Sequence, residues 1–406
     1  MTGLPTSVTV VGAGLAGHAT AKALRQQGFT GTITVIGDES VRPYDRPPLS
    51  KDFLAGLTGV SELALELEDE ALDAQWVLGV HAIGLDPVTR TVALDDGTLI
   101  ASDAVVIATG SRARRMPGAP AGVHTVRTLA DAAALREELK PGVRLAVIGA
   151  GFIGAEIAST ARGLGIDVTV IEAAPAPLAG PLGPEMGRVV AGLHEANGVA
   201  LRCGVAVAGL LGTERVTGVL LADGTEVPAD VVVAGIGAVP AVEWLEGSGL
   251  DLAAPGSGGG VVCDAVGATN FAGVFAVGDC SAWFDDVRGR HHRIEHWTDS
   301  RDRPAVMVGA MLGHPPTTPL RPPYFWSDQY GVKIQFTGRR DGTEEVTIEA
   351  GSAETHDILA VYRRDGEPVA VLGMNQPKLF TRWRKQLSGP PGRVVPSQSD
   401  PSPTHP

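Results

Sequence analysis

Two stretches, SVTVVGAGLAGHATAKAL (Ser7–Leu24) and RLAVIGAGFIGAEIASTA (Arg144–Ala161), repeat one pattern. Each runs from a short apolar segment through a glycine turn into an Ala-rich stretch, which reads as strand, tight turn and helix. A second pair follows, LDDGTLIASDAVVIATGS (Leu94–Ser111) and LADGTEVPADVVVAGIGA (Leu221–Ala238). Gly97 and Gly110 map onto Gly224 and Gly237 with one offset of 127 residues. The chain therefore carries two copies of a single nucleotide-binding fold.

Gly12, Gly14 and Gly17 form GxGxxG in the first copy, and Gly149, Gly151 and Gly154 form it in the second. The first glycine permits the turn, the second admits pyrophosphate to the backbone, and the third lets helix pack on strand. Phosphate charge then meets the free N–H groups at the helix N-terminus. In VTVIEAAP (Val168–Pro175), Glu172 lies 23 residues past Gly149. A carboxylate there accepts from ribose hydroxyls and repels a 2′-phosphate, and no arginine follows within ten residues, so NADH is favoured over NADPH. In the first copy, ITVIGDES (Ile33–Ser40) offers Asp38 or Glu39 for the same role, and the choice stays open.

The segment TNFAGVFAVGDCSAWF (Thr269–Phe284) has no counterpart between the copies, so the second copy reads as inserted in the first. The expected organisation is a discontinuous first nucleotide domain, 1–115 and 245–320, around a second one, 116–244. From Pro322 onward short alternating segments read as strands and PKLFTRWRKQL (Pro377–Leu387) as a closing helix, giving a small α+β domain over 321–387. The Pro- and Ser-rich end, 388–406, reads as a disordered tail. The fold class is α/β: two Rossmann-like nucleotide-binding domains plus the small α+β domain.

At 406 residues the chain has room for two or three cores. Hydrophobic content of 44%, a mean hydropathy of +0.12 and 19% charged residues describe a soluble globular chain. No apolar run reaches the roughly 18 residues of a membrane helix, and no basic-then-apolar leader opens the chain. A net charge of −13 argues against non-specific nucleic-acid binding. Cys203, Cys263 and Cys280 offer neither a CxxC pair nor metal-ligand spacing, so no metal is expected and a reducing, cytoplasmic compartment is.

Two nucleotide folds in one chain suggest two nucleotides sharing one redox centre, a resident flavin and a visiting nicotinamide. Asp279, following Gly278 at a strand end, is placed to hold a flavin ribitol hydroxyl.

Taken together, GAGLAG, RPYDRPPLSK (Arg42–Lys51), ATGS, GAGFIGAEIA, AVGDC, EHW and PYFWSDQYG resemble the NADH-dependent ferredoxin reductases of oxygenase and cytochrome P450 systems. The resemblance implies a glutathione-reductase-like arrangement of the two nucleotide domains, with FAD and NADH as cofactors. It places nucleotide contacts at Ala16, Arg46, Pro48, Lys51, Ala108, Thr109, Gly110, Phe152, Ile153, Gly235, Ile236 and Gly237, beside the glycines named above. Lys51 would point towards flavin N5, paired with Glu156, on a loop stiffened by Pro43, Pro47 and Pro48. Both would be catalytic, since a cation there stabilises arriving negative charge. Glu295, His296 and Trp297 would return the chain to the flavin pyrimidine end, and Trp326 would shield the ring.

Related disulfide reductases carry a reactive cysteine near this loop; here there is none, which removes disulfide exchange and peroxide chemistry. The implied reaction is hydride transfer from NADH to FAD, then single electrons to an acidic [2Fe–2S] or similar ferredoxin serving a cytochrome P450 or oxygenase. The competing readings are a rubredoxin reductase or NADH oxidase, and an apoptosis-inducing-factor-like binding protein. Arg288, Arg290, Arg293, Arg301 and Arg303 read as a positive patch for the acidic partner.

Overall fold

The computed structural model describes residues 3–66, 72–286, 288–314 and 322–388. Its residues fall into two compact units, Met1–Leu320 and Arg321–Pro406.

The larger unit is built on two five-stranded sheets whose strands are all parallel. Their central strands are continuous apolar runs because both faces are covered. Val8, Val10, Val105, Val106 and Ile107 in one sheet, and Ala146, Val147, Val232 and Val233 in the other, are almost wholly buried. The first sheet runs Val274–Ala276, Ala104–Ile107, Ser7–Val11, Thr32–Gly37, Ala74–Leu78. The second runs Val123–His124, Val231–Ala234, Arg144–Ile148, Asp167–Glu172, Ala200–Cys203, the same order in space. Only the edge strands differ in origin. Val274–Ala276 reaches the first sheet after the second is complete, whereas Val123–His124 enters the second sheet before its glycine loop.

The repeat extends to a carboxylate at the base of each sheet. Asp103 accepts from the backbone N–H groups of Thr6 (2.8 Å) and Ser7 (3.0 Å), fixing the start of the first glycine-loop strand. Asp230 does the same for Arg144, accepting from its backbone N (3.0 Å), Nε (3.0 Å) and Nη2 (2.7 Å). Where the chain passes between the copies, Ser111–Ala113 and Ala238–Pro240 pair as a short antiparallel ladder.

The C-terminal unit is α+β, as its alternating pattern indicated. An antiparallel sheet runs Tyr324–Gln329, Val332–Gly338, Glu367–Met374, Asp357–Arg364, Glu345–Ser352. The helix Pro377–Leu387 is held to it by Phe380, buried against Leu359, Val361 and Val371. Gly373 makes room for that ring, since a Cβ there would come within 3.1 Å of it. Ser388 closes the helix, and the rest of the expected disordered tail lies outside the described residues.

Candidate functional site

Each glycine turn is shaped by close backbone approach. A Cβ at Gly12 would lie 2.1 Å from the Ala108 carbonyl oxygen, and one at Gly149 would lie 2.3 Å from that of Gly235. The third glycines are equally closed: Gly17 and Gly154 sit against the Gly12 and Gly149 carbonyls. The second glycines face open space. Nothing lies within 4 Å of a Cβ at Gly151, and at Gly14 only Arg46 Nη2 does, at 4.0 Å. The helices that follow, Leu15–Gln26 and Phe152–Gly163, have neither a side-chain cap nor an acid in the first turn. Their N–H groups and positive ends therefore suit a pyrophosphate.

Register separates the two copies at the acid. Val11 stands opposite Ile36 and Ile148 opposite Ile171, so Gly37 occupies the place of Glu172. A side chain at Gly37 would collide with Ala13, since its Cβ would fall 2.6 Å from Ala13 Cβ. Glu172 holds its own loop: Oε2 accepts from Ala150 N (2.7 Å) and Oε1 from Ala174 N (2.8 Å). Of the two acids named for the first copy, Asp38 is exposed. Glu39 turns inward, accepting from Arg46 Nη2 (2.7 Å) and the Tyr44 hydroxyl (2.6 Å). The Tyr44 hydroxyl in turn accepts from Leu129 N at 2.8 Å, and burial pushes its pKa up.

Beside Arg46 lies an arginine that the sequence reading missed. Arg46 Nη1 donates to the Arg127 carbonyl, and Arg127 Nη2 reaches Asp279 Oδ2 at 2.8 Å. Ser111 and Ser300 hydroxyls complete the shell around Asp279, at 3.2 and 3.3 Å. Gly278 brings that aspartate to the first helix, where a Cβ on Gly278 would meet Ala16 Cβ at 2.8 Å. Ala16, Arg46 and Asp279 are thus gathered around the first glycine loop. Of the residues around the ATGS turn, Thr109 donates its hydroxyl to Ala241 O at 2.7 Å.

The proline-rich stretch forms a short 3-10 turn, Pro47–Ser50, and Lys51 follows it. Lys51 Nζ donates to Glu156 Oε2 at 2.7 Å and to the Pro47 carbonyl at 3.2 Å. Ser50 Oγ reaches the same Glu156 oxygen at 2.6 Å, and Glu156 is 3% exposed. Removing one partner of such a pair costs about 3–5 kcal/mol, because the other is left charged and buried. Asp45, also missed, accepts from Trp297 Nε1 at 2.7 Å. His296 precedes that tryptophan at the helix start, and burial holds its pKa below the ordinary imidazole value. Glu295 is exposed and paired with Arg293. Phe152 and Ile153 open the second helix beside Gly151, and Ile153 and Ile236 are exposed apolar residues flanking that loop. Trp326 lies in the C-terminal unit, stacked on Tyr324 with centroids 6.0 Å apart.

The arginine patch shrinks in three dimensions. Arg293 is folded inward onto Gly258 O (2.6 Å) and Asp279 O (3.0 Å). Arg303 pairs with Asp299 Oδ1 at 3.0 Å and covers the Trp283 ring. Arg301 is exposed but paired with Asp302 at 2.7 Å. Arg290 is exposed and Arg288 half-buried. Cys263 and Cys280 are buried, with thiol pKa values pushed up by burial, and Cys203 lies on the Ala200–Cys203 strand. None belongs to the proline-rich loop.

Two glycine-loop folds of the same topology, joined by a buried ion pair and without a thiol at the junction, define a two-nucleotide oxidoreductase. Residues 6–303 match the family described as pyridine nucleotide-disulphide oxidoreductase, and residues 324–392 match the reductase C-terminal family. The chain belongs to the pyridine nucleotide-disulphide oxidoreductase family. It is 37% identical to the biphenyl dioxygenase system ferredoxin–NAD(+) reductase component of Paraburkholderia xenovorans (strain LB400), over 92% of this chain and 91% of that one. It is 33% identical to putidaredoxin reductase of Pseudomonas putida, covering 94% and 92%. Among solved structures, the covalent putidaredoxin reductase–putidaredoxin complex matches with a TM-score of 0.89 and 32% identity, covering 94% of this chain and 93% of that one. Among the described residues, no helix is long and apolar enough to cross a membrane, and no group of His, Cys, Asp and Glu could hold a metal ion.

Proposed function

We propose that this chain is an NADH-dependent ferredoxin reductase of an oxygenase or cytochrome P450 system. The observation that carries the reading is the contact between the two nucleotide folds through Lys51, Ser50 and Glu156, in a loop without cysteine. When bound, FAD would accept hydride from NADH and release electrons one at a time to an iron–sulfur partner.

Residues 1–115 and 245–320 hold the flavin in this reading, and 116–244 receive the nicotinamide nucleotide. The Gly12–Gly17 loop cradles the flavin pyrophosphate, with Arg46 adding charge beside Gly14. Glu39 is the better placed acid for the flavin ribose, because it faces Arg46 while Asp38 faces solvent. Asp279, oriented by Arg127, Ser111 and Ser300, holds a ribitol hydroxyl. Gly149, Gly151 and Gly154 take the NADH pyrophosphate, and Glu172 its ribose. Lys51 supplies positive charge where negative charge arrives, and Glu156 holds that lysine in place.

The partner would be an acidic ferredoxin docking near Arg288 and Arg290, and three thiols outside any disulfide suit a cytoplasmic setting. The test is NADH-driven reduction of candidate ferredoxins compared with oxygen consumption by the same preparation. Rapid, acceptor-dependent turnover supports the reading. Equally fast NADH oxidation in air without an acceptor would make the chain an oxidase instead.

A further inference from the structure

Ser50 and Thr160 carry no charge, and neither belongs to a glycine loop, yet both sit in the contact between the two copies. Ser50 is 2% exposed at the end of the 3-10 turn. Its hydroxyl and Lys51 Nζ reach the same oxygen, Glu156 Oε2, at 2.6 and 2.7 Å. Its carbonyl accepts from Thr160 Oγ1 at 2.7 Å. Glu156 and Thr160 are four residues apart, so they share one face of the Phe152–Gly163 helix. The turn and the helix are therefore joined by two hydroxyl bonds and one ion pair.

The first copy shows what the fold itself requires. Aligning Gly17 with Gly154 sets Ala19 against Glu156 and Ala23 against Thr160. Alanine suffices at both positions to build the helix and pack it on its sheet. A helical threonine ordinarily bonds back to its own backbone. Thr20 does so, donating to Ala16 O at 2.7 Å. Thr160 instead reaches across to the other copy.

We propose that Ser50 and Thr160 are positioning residues for hydride transfer, clasping the nicotinamide-side helix onto the flavin-side turn at one fixed reach. The inference rests on the nucleotide assignments proposed above. An ion pair between two long side chains attracts without fixing direction, whereas the two hydroxyl bonds set both spacing and rotation. Hydride transfer depends steeply on such placement: a misplacement of about 1 Å can cost about 10²-fold.

The test is stopped-flow bleaching of the FAD-loaded protein by NADH, for wild type, Thr160→Val, Thr160→Ser and Ser50→Ala. If the wild type is not bleached by NADH, the functional reading fails before the clasp is tested. If it is bleached, Thr160→Val should lower the limiting rate about tenfold, with little change in half-saturating NADH. Thr160→Ser, which restores the hydroxyl, should return the rate to near wild type. Amide hydrogen exchange on the flavin-free protein supplies a second readout. Thr160→Val should speed exchange in residues 46–51 and 152–160 and leave the two central sheets unchanged. Ser50→Ala should behave like Thr160→Val. A limiting rate within twofold of wild type in Thr160→Val would overturn the inference. So would a rate loss that merely tracks lost FAD, or one that Thr160→Ser does not repair.

Discussion

Trp297 Nε1 donates to Asp45 Oδ1 at 2.7 Å, tying the proline-rich loop to the first residue of the Trp297–Met311 helix across 252 residues of chain. Burial pushes the Asp45 carboxyl above its ordinary value of 3.8, against the indole bond and the Lys51 charge. With its pKa raised on folding, Asp45 binds more protons in the native state than unfolded. Its contribution to stability therefore falls as pH rises from 3.8 through the raised value. Asp45→Asn keeps an acceptor for the indole and removes the titration, so its melting temperature should depend less on pH over that window. Trp297→Phe takes the indole donor from a half-buried carboxylate and should cost about 1 kcal/mol. Thermal melts across pH check both.

Asp103 and Asp230 work in the opposite sense. The backbone and side-chain donors of Thr6 and Ser7 hold Asp103 near pKa about 2, and those of Arg144 hold Asp230 near about 2. Both values are lowered on folding, so their stabilisation is present above the ordinary 3.8 and lost as pH falls through about 2. Asp103→Asn and Asp230→Asn should each flatten the acid limb of the stability curve. The double variant should be additive, since the two clamps sit on separate sheets. Melting temperature against pH from 7 downward is the measurement.

These pairs show what sequence reading reached. Glycine turns and the acid after the second strand are local in sequence, because a backbone shape or a strand end dictates the residue type. The fold class followed from them. Arg127 and Asp45 meet partners 152 and 252 residues away, and no spacing rule announces such a meeting. Gly37 shows a subtler limit: the second copy places its acid at this register position, but Ala13 crowds it in the first. Arg293 and Arg303 misled for a related reason, since a charge count does not distinguish a surface guanidinium from one folded onto carbonyls and an indole.

Glu172 has two tasks, bracing its loop through Ala150 N and Ala174 N and facing the nucleotide ribose in the proposed reading. Glu172→Gln removes the charge that repels a 2′-phosphate and presents an NH2 group to one of the two backbone donors. Preference for NADH over NADPH should fall about tenfold, the equivalent of one hydrogen bond. Most of the change should lie in KM. Steady-state kinetics with both nucleotides decide it; an unchanged ratio would remove Glu172 from nucleotide choice.

Docking of an acidic partner should now depend on Arg288 and Arg290, with Arg301 weakened by Asp302. Electron transfer to the ferredoxin should slow as salt passes about 0.1 M, where screening shortens to about 10 Å. Arg290→Glu should slow it at low salt and flatten the salt dependence. Arg293→Ala should instead lower the melting temperature, because Gly258 O and Asp279 O lose their donor. Rates measured against ionic strength separate the two effects.

Lys51 offers the sharpest test of the proposed chemistry. Its side chain is 18% exposed, and its charge is held between Glu156 Oε2 and the Pro47 carbonyl. Lys51→Met keeps much of the stem and removes the cation, so FAD should still bind. The flavin potential should fall and reduction by NADH should slow by about 10²-fold, the scale of losing one preorganised electrostatic contact. Glu156→Gln keeps an acceptor for Ser50 and Lys51 but loses the counter-charge, and should lower the rate less. Because the two side chains touch, the double variant should fall short of the summed single effects. Spectroelectrochemical titration with stopped-flow reduction measures both quantities. If Lys51→Met reproduces the wild-type potential and rate, the proline-rich turn shapes the pocket and its lysine takes no part in the reaction.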